Sequence, residues 1–196
     1  MAEQRLPILD EQMCAWSTRL VSHVRVDPEF VPCLASTLAR ETRSIAGPLR
    51  AQLTSDHGVA IEDRLDELRA FQGFMDLAHS LPTDPRLARA QVIAQNYVCF
   101  VYLGESVFRV LRKLSPSGTV ARRCSTFLTD NPVRAFRNAV AHASWRYNSD
   151  FSGLEFWARK GGEPDEPLAH WEASQDDVAF WQALARCVAY AVLPSI

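Results

Sequence analysis

The sequence predicts an all-α protein, an up-down helical bundle with a small β-hairpin or meander before the C-terminal helix. Two patterns carry this prediction. Apolar residues recur every three to four positions through most of the 196 residues, as on the buried face of a helix. Capping residues followed by proline mark helix starts, because the first helical position needs no N–H. These pairs are Asp27-Pro28, Asp84-Pro85 and Asn131-Pro132.

The apolar periodicity places the helices in order along the chain. We expect the longest helix to bury Ile93, Phe108 and Leu111, and we expect a break near Gly47-Pro48 because proline interrupts a helix. The predicted helices cover residues 9–24, 28–53, 61–81, 86–114, 120–128, 132–143 and 175–193.

One interruption of the helical pattern lies at about residues 144–172. Residues 145–147 and 154–159 read as short strands on either side of a turn, and residues 169–171 indicate a third. This insertion is too small to fold alone, so we expect one domain over residues 1–196. Ser174, followed three residues later by Asp177, has the capping-box spacing and predicts the start of the last helix.

Composition narrows the classes of function. The formal net charge of −2 gives no global basic field, which argues against a stable duplex-DNA binder. The five cysteines include no Cys-x-x-Cys pair and are typical of reduced thiols. The first residues lack the pattern of a secretory signal, and the most apolar stretch, 92–111, carries charged residues. We therefore expect a cytoplasmic protein with no membrane span, no metal site and no cofactor.

The helix predicted over residues 132–143 carries the candidate functional residues. At roughly 100° per residue its side chains separate into an apolar face and a polar face. The apolar face, expected to pack on the core, consists of Val133, Phe136, Val140 and Ala143. The polar face consists of Arg134, Arg137, Asn138 and Ala141, with His142 at its edge.

These residue types suit RNA cleavage without a metal. The imidazole of His142 is the side chain whose ordinary pKa suits proton transfer near neutrality. Arg137 offers a fixed fork of donors for a phosphate, and Asn138 would orient the neighbouring side chains or bind a nucleotide. The residues alone leave a second interpretation open, because polar helix faces are commonly solvated and a histidine in the last turn complements the helix dipole.

The segment from Ala135 to Ala143, with the sequence AFRNAVAHA, resembles the motif of the HEPN superfamily. That motif is an arginine, a polar residue that is often asparagine, three further residues and a histidine near the end of a helix. The apolar and aromatic segment that follows, Trp145 to Trp157, resembles a subset of bacterial HEPN-like proteins with a β-hairpin after the motif. One departure is Ala143, which stands where related motifs often have glycine.

The resemblance implies a metal-independent endoribonuclease acting on RNA as a homodimer, as a toxin or defence protein with a possible antitoxin partner. Arg137 and His142 would be catalytic, and the two motifs of the dimer would share one cleft. Asn138, Arg134 and Glu105 would bind substrate in that cleft. Many members of the superfamily are thought inactive, so the alternative is a nucleotide-binding, RNA-binding or dimerisation module without catalysis.

Glu105 and the hairpin aromatics leave further alternatives. A buried Glu105 would need a partner, which could be Arg137 or Arg134 across the cleft or Arg109 one turn along the same helix. The aromatic side chains of the hairpin could stack on bases, but packing of its underside on the helices is the stronger expectation. These aromatics are Trp145, Tyr147, Phe156, Trp157 and Trp171.

Overall fold

The computed structural model describes residues 6–57, 61–80, 85–150, 152–159 and 165–196. The chain is mostly helical, and its three strands form one antiparallel sheet before the last helix. The mainly helical fold class is therefore confirmed, together with the small meander, whereas the up-down order of the helices stays a prediction.

The described residues contain ten α-helical segments, numbered in chain order. They are α1 (Leu6–Cys14), α2 (Ser17–Arg19), α3 (Leu34–Arg43), α4 (Ala46–His57), α5 (Ile61–Ser80), α6 (Pro85–Asn96), α7 (Arg109–Leu114), α8 (Val120–Thr129), α9 (Val133–Ala141) and α10 (Gln175–Val192). Shorter helical turns join or extend them: π-helical turns at Leu20–Val24, Tyr97–Tyr102 and Gly104–Phe108, and 3-10 turns at Pro28–Cys33 and Leu193–Ser195.

The longest predicted helix is confirmed as one continuous helical run from α6 through two π-helical turns into α7. Phe108 and Leu111 are buried there as expected. The prediction that Ile93 is buried is wrong, because 46% of that residue is exposed. The predicted helix over 9–24 is two helices, since the chain turns at Ala15 and Trp16. The break expected at Gly47-Pro48 lies earlier, at Ser44 and Ile45. Pro48 is tolerated because it lies in the first turn of α4.

The proline pairs are weaker start signals than expected. Helix α9 begins at Val133, so its N-cap position is Pro132 and not Asn131. Asp27 makes no side-chain cap, because its Oδ1 lies 2.9 Å from Nη1 of Arg123 and the chain enters a 3-10 turn. Asp84 lies outside the described residues. An aspartate with a stronger partner elsewhere does not act as a cap.

The capping box at the start of α10 is confirmed. The Ser174 Oγ accepts a hydrogen bond from the Asp177 backbone N–H at 3.1 Å. The Asp177 Oδ2 in turn accepts one from the Ser174 backbone N–H at 2.9 Å. Arg19 of α2 also pairs with Asp177, so this carboxylate ties the amino end of the chain to the last helix.

The sheet lies against α9. Its strands β1 (Trp145–Tyr147), β2 (Gly153–Arg159) and β3 (Leu168–Ser174) run in that order, each antiparallel to the next. Phe156 of β2 faces Trp145 on one side and Trp171 on the other in the register, and it is fully buried. Trp145, Tyr147 and Trp171 are partly buried against the core, which confirms that the sheet packs its underside on the helices.

The last helix is both long and apolar. The stretch Gln175–Ser195 is long and apolar enough to cross a membrane by length and composition alone. In the structure, however, 61% of its apolar window is buried inside the protein. A buried core helix accounts for this composition, and the fold is compatible with a soluble protein.

Helix α9 ends in a left-handed turn at Ala143. The Ser144 backbone N–H donates to the Ala139 carbonyl at 2.8 Å, and the Ala143 N–H donates to the Val140 carbonyl at 3.4 Å. These two bonds form a Schellman motif, whose left-handed position glycine usually occupies. Ala143 takes that conformation with a φ of 54°, where its Cβ is strained.

Replacing Ala143 with glycine should therefore stabilise the protein. We expect Ala143→Gly to raise the free energy of unfolding by about 0.5–1 kcal/mol, because glycine removes the Cβ penalty of the left-handed turn. Ala141→Gly, two residues earlier on the exposed face of α9, should lower it by about 0.5–1 kcal/mol. Urea unfolding measures both changes. A loss of stability in both variants would contradict the left-handed turn.

Candidate functional site

Helix α9 is held between the π-helical turn Tyr97–Tyr102 and strand β2. The predicted core face is confirmed for Val133 and Phe136, and Val140 is partly buried. Ala143 was wrongly placed on this face, because the helix ends before it and it is exposed. The buried face is also wider than predicted, since α9 packs on two sides. It includes two small residues, Ala135 and Ala139.

A cleft of about 380 Å³ opens beside α9, where the α8–α9 connection meets the long helix. We call it the arginine cleft. Among the described residues, its lining carries four guanidinium groups and one carboxylate, a composition that favours an anion. The lining residues are Gly104, Arg109, Arg112, Leu128, Thr129, Asp130, Arg134 and Arg137.

Arg137 is fixed in this cleft from both ends of its side chain. Its aliphatic part lies against Gly104, where an added Cβ would stand 3.4 Å from the Arg137 Cδ. Its Nε and Nη2 both donate to the Asn138 Oδ1, at 3.1 and 2.7 Å. Partial burial lowers the pKa of Arg137 from its ordinary value. The group stays charged near neutrality, because an arginine pKa is so high.

Asp130, the carboxylate among the described lining residues, is already paired. Arg112 donates from Nη1 to the Asp130 Oδ1 at 2.7 Å and to the Thr129 Oγ1 at 3.0 Å. The Arg122 guanidinium donates to the Arg112 backbone carbonyl. Asp130 therefore holds one wall of the arginine cleft in place through Arg112.

The structure brings together some of the predicted site residues. Arg134 and Arg137 line the arginine cleft, and Asn138 orients Arg137 as expected. His142 is exposed at the carboxyl end of α9 and is not among the residues that line the cleft. Five helical positions turn through roughly 500°, which leaves Arg137 and His142 about 140° apart around the helix. For Glu105, only the backbone is described, within the π-helical turn Gly104–Phe108.

Sequence reasoning missed several residues of the cleft. Arg109 and Arg112 are three apart on the long helix, a spacing that does place them on one face. Nothing in the spacing, however, shows that this face meets Thr129 and the start of α9. Gly104 carried a signal too, because a glycine inside a helix has a cost that close packing can offset.

Within the part of the chain that the structure describes, no three His, Cys, Asp or Glu side chains converge in a way that could hold a metal ion. Comparison of this chain with protein-family models, curated proteins and solved structures finds no match. The HEPN resemblance is therefore untested by relatives, and function is inferred from the residues of α9 and the arginine cleft.

The arginine cleft should bind inorganic phosphate. At constant ionic strength, phosphate at ten times its Kd should raise the free energy of unfolding by about 1.4 kcal/mol, because only the folded cleft binds it. The double variant Arg134→Gln/Arg137→Gln should lose this gain. Thermal unfolding at several phosphate concentrations measures it.

Arg146→Gln is the matched control for that experiment. Arg146 is exposed on β1, pairs with Glu155 at 2.7 Å and does not line the cleft. This variant should respond to phosphate as the wild type does. An equal loss in Arg146→Gln, or a full response in the double variant, would show that phosphate acts elsewhere.

Proposed function

We propose that this protein is a HEPN-like, metal-independent endoribonuclease that acts on RNA as a homodimer. The observation that carries the proposal is the position of Arg137: Asn138 holds its guanidinium in a cleft lined by three further arginines. Such a cleft suits a phosphodiester, whose negative charge increases in the transition state of cleavage. The proposal includes an up-down order of the helices, a cytoplasmic location and a role as a toxin or defence protein with an antitoxin partner.

The reaction that fits these residues is attack by the RNA 2′-oxygen on the neighbouring phosphorus. The 2′-hydroxyl loses its proton, the bond from phosphorus to the 5′-oxygen breaks, and that oxygen gains a proton. The products are a 2′,3′-cyclic phosphate and a 5′-hydroxyl. Arg137 would stabilise the charge on phosphorus, and His142 would transfer a proton.

The homodimer explains why His142 lies outside the cleft lining of its own chain. His142 is exposed, and its imidazole makes no hydrogen bond to the described residues. It is therefore accessible to a second copy and to RNA bound between the copies. A dimer would combine the arginine cleft and His142 of each chain into one composite site. Histidine there would act as an acid or a base on substrate held mainly by arginine.

A second candidate is an RNA-binding or nucleotide-binding module without catalysis. The position of His142 outside the arginine cleft favours it, because the described lining of the cleft then holds phosphate without a histidine beside it. In this case Arg137 would contribute to binding, and His142 would cap the end of α9 on the protein surface.

RNA cleavage in the presence of a chelator tests the proposal. We expect the wild type to cut single-stranded RNA and to leave cyclic phosphate ends. We expect His142→Ala to slow cleavage about 10²–10⁴-fold by removing the proton-transfer group. Arg137→Ala should slow it about 10²–10³-fold by removing a donor to the transition state. Substrate with a 2′-deoxy sugar at the cut site should not be cleaved.

His170→Ala is the matched control, because His170 is also exposed but lies on β3. It should keep full activity. Cleavage that survives in His142→Ala, or no cleavage of a broad RNA set by the wild type, would contradict catalysis. RNA binding without cleavage, weakened by Arg137→Ala and unchanged by His142→Ala, would establish the binding module instead.

A further inference from the structure

A second cavity, of about 770 Å³, lies on a different side of the molecule between α1, α5, α6 and α10. This volume falls within the range of about 300–1,000 Å³ that small-molecule sites occupy. No residue is shared between the linings of this cavity and the arginine cleft. We call it the amide pocket, after the four glutamines in its lining: Gln12, Gln72, Gln95 and Gln182.

The walls of the amide pocket combine apolar surface with hydrogen-bonding groups. Trp16 and Phe71 supply aromatic surface, and Met13 supplies a buried thioether. Four amides and the Tyr190 phenol supply donors and acceptors around them. An apolar lining with a few polar groups is the usual composition of a small-molecule site. The described lining holds no aspartate or glutamate, so its charged member is a cation.

That cation is Arg186, which is partly buried in the wall contributed by α10. No carboxylate in the described part of the chain forms an ion pair with it. Burial raises the pKa of the neighbouring Cys99 thiol to about 11, although the charge and the hydrogen bond of the Arg186 guanidinium act to lower it. The thiol is therefore neutral near pH 7 and does not balance the charge. A cation in this position is stabilised when an anion enters the pocket.

One glutamine of the amide pocket, Gln182, is held in place by a buried asparagine. The Gln182 Nε2 donates to the Oδ1 of Asn96 at 2.6 Å, and Asn96 is fully buried. This bond uses one of the two N–H donors of Gln182 and leaves its oxygen as an acceptor. The Asn96 Nδ2 has no partner, which is uncommon for a buried amide. Asn96 also directly precedes the π-helical turn Tyr97–Tyr102, a kind of turn found often at functional sites.

We propose that the amide pocket binds a small organic anion with an aromatic body, whose anionic group pairs with Arg186. The body lies against Trp16 and Phe71, and the amides of the lining donate hydrogen bonds to the remaining oxygens of the anionic group. The anionic group is a carboxylate or a phosphate monoester, both of which suit the guanidinium fork. The ligand is distinct from the RNA proposed for the arginine cleft, because the two sites share no residue.

Titration calorimetry with three probes of equal ring size tests this proposal: 2-naphthoate, 2-naphthyl phosphate and the neutral 2-naphthalenemethanol. We expect at least one anion to bind the wild type more tightly than the alcohol does. Arg186→Met keeps most of the side-chain volume and removes the charge. It should weaken anion binding about tenfold or more and change alcohol binding less than twofold. The anion that binds more tightly identifies the carboxylate or the phosphate as the group recognised.

Three further variants separate this outcome from others. Arg40→Met removes an exposed arginine of α3 outside the pocket and should leave anion binding unchanged. Arg134→Gln/Arg137→Gln removes the phosphate site predicted in the arginine cleft. This variant should bind 2-naphthoate as the wild type does, and any 2-naphthyl phosphate that it still binds lies in the amide pocket. Ala179→Phe adds bulk at an exposed lining position of α10 and should abolish binding of all three probes. It also tests the proposal if Arg186→Met does not fold.

Several results would overturn the proposal. The first is no binding of any probe by the wild type, and the second is an equal loss for anion and alcohol in Arg186→Met. The others are a tenfold loss of 2-naphthoate binding in Arg40→Met or in Arg134→Gln/Arg137→Gln, and unchanged binding in Ala179→Phe.

Discussion

The packing of one side chain, Phe136, determines where α9 lies. Its ring is fully buried and meets three other aromatic rings, each from a different element. The centroid distances are 5.2 Å to Phe100 of the long helix, 5.3 Å to Phe156 of β2 and 5.8 Å to Trp181 of α10. Burial of a phenylalanine contributes about 1.5–3 kcal/mol, and edge-to-face contacts add to it. The same cluster joins the long helix, the sheet and the last helix.

Because Phe136 fixes α9, it also fixes the residue that follows it. Arg137 leaves the helix at the edge of the buried face, so its side chain enters the arginine cleft partly desolvated rather than extending into water. Asn138 then sets the orientation of the guanidinium. The candidate site is in this way a direct extension of the core. A single aromatic cluster supports both the fold and the functional surface of α9.

Much of the fold was predictable, because the signals that define each helix and strand lie within that element's own sequence. The apolar period defined the long helix, the Ser174–Asp177 spacing defined the start of α10, and alternation defined the strands, each within a few residues. The failures came from partners distant in the chain. Asp27 has the identity of a cap, but Arg123 takes its carboxylate. Ile93 has the identity and spacing of a core residue, yet nothing in its own helix shows that this face stays open.

The same distinction between local and distant signals applies to the candidate site. Arg134, Arg137 and Asn138 share one helix, so their spacing alone predicted that they lie close together. His142 was predicted beside them, but it is not among the residues that line the arginine cleft. The two cleft arginines from the long helix depend on how it packs against α8 and α9, which periodicity does not specify. Arg186 and the glutamines of the amide pocket come from separate helices in the same way, and sequence reasoning named none of them.

The π-helical turns of the long helix bear on the direction of the side chains that follow them. Each such turn closes its hydrogen bonds one residue farther along than an α-helical turn does, so it contains one more residue. The side chains beyond it are therefore offset by roughly 100° from where an uninterrupted α-helix would place them. Arg109 and Arg112 follow two of these turns, at Tyr97–Tyr102 and Gly104–Phe108. The direction in which both arginines face thus depends on the two wide turns that precede them.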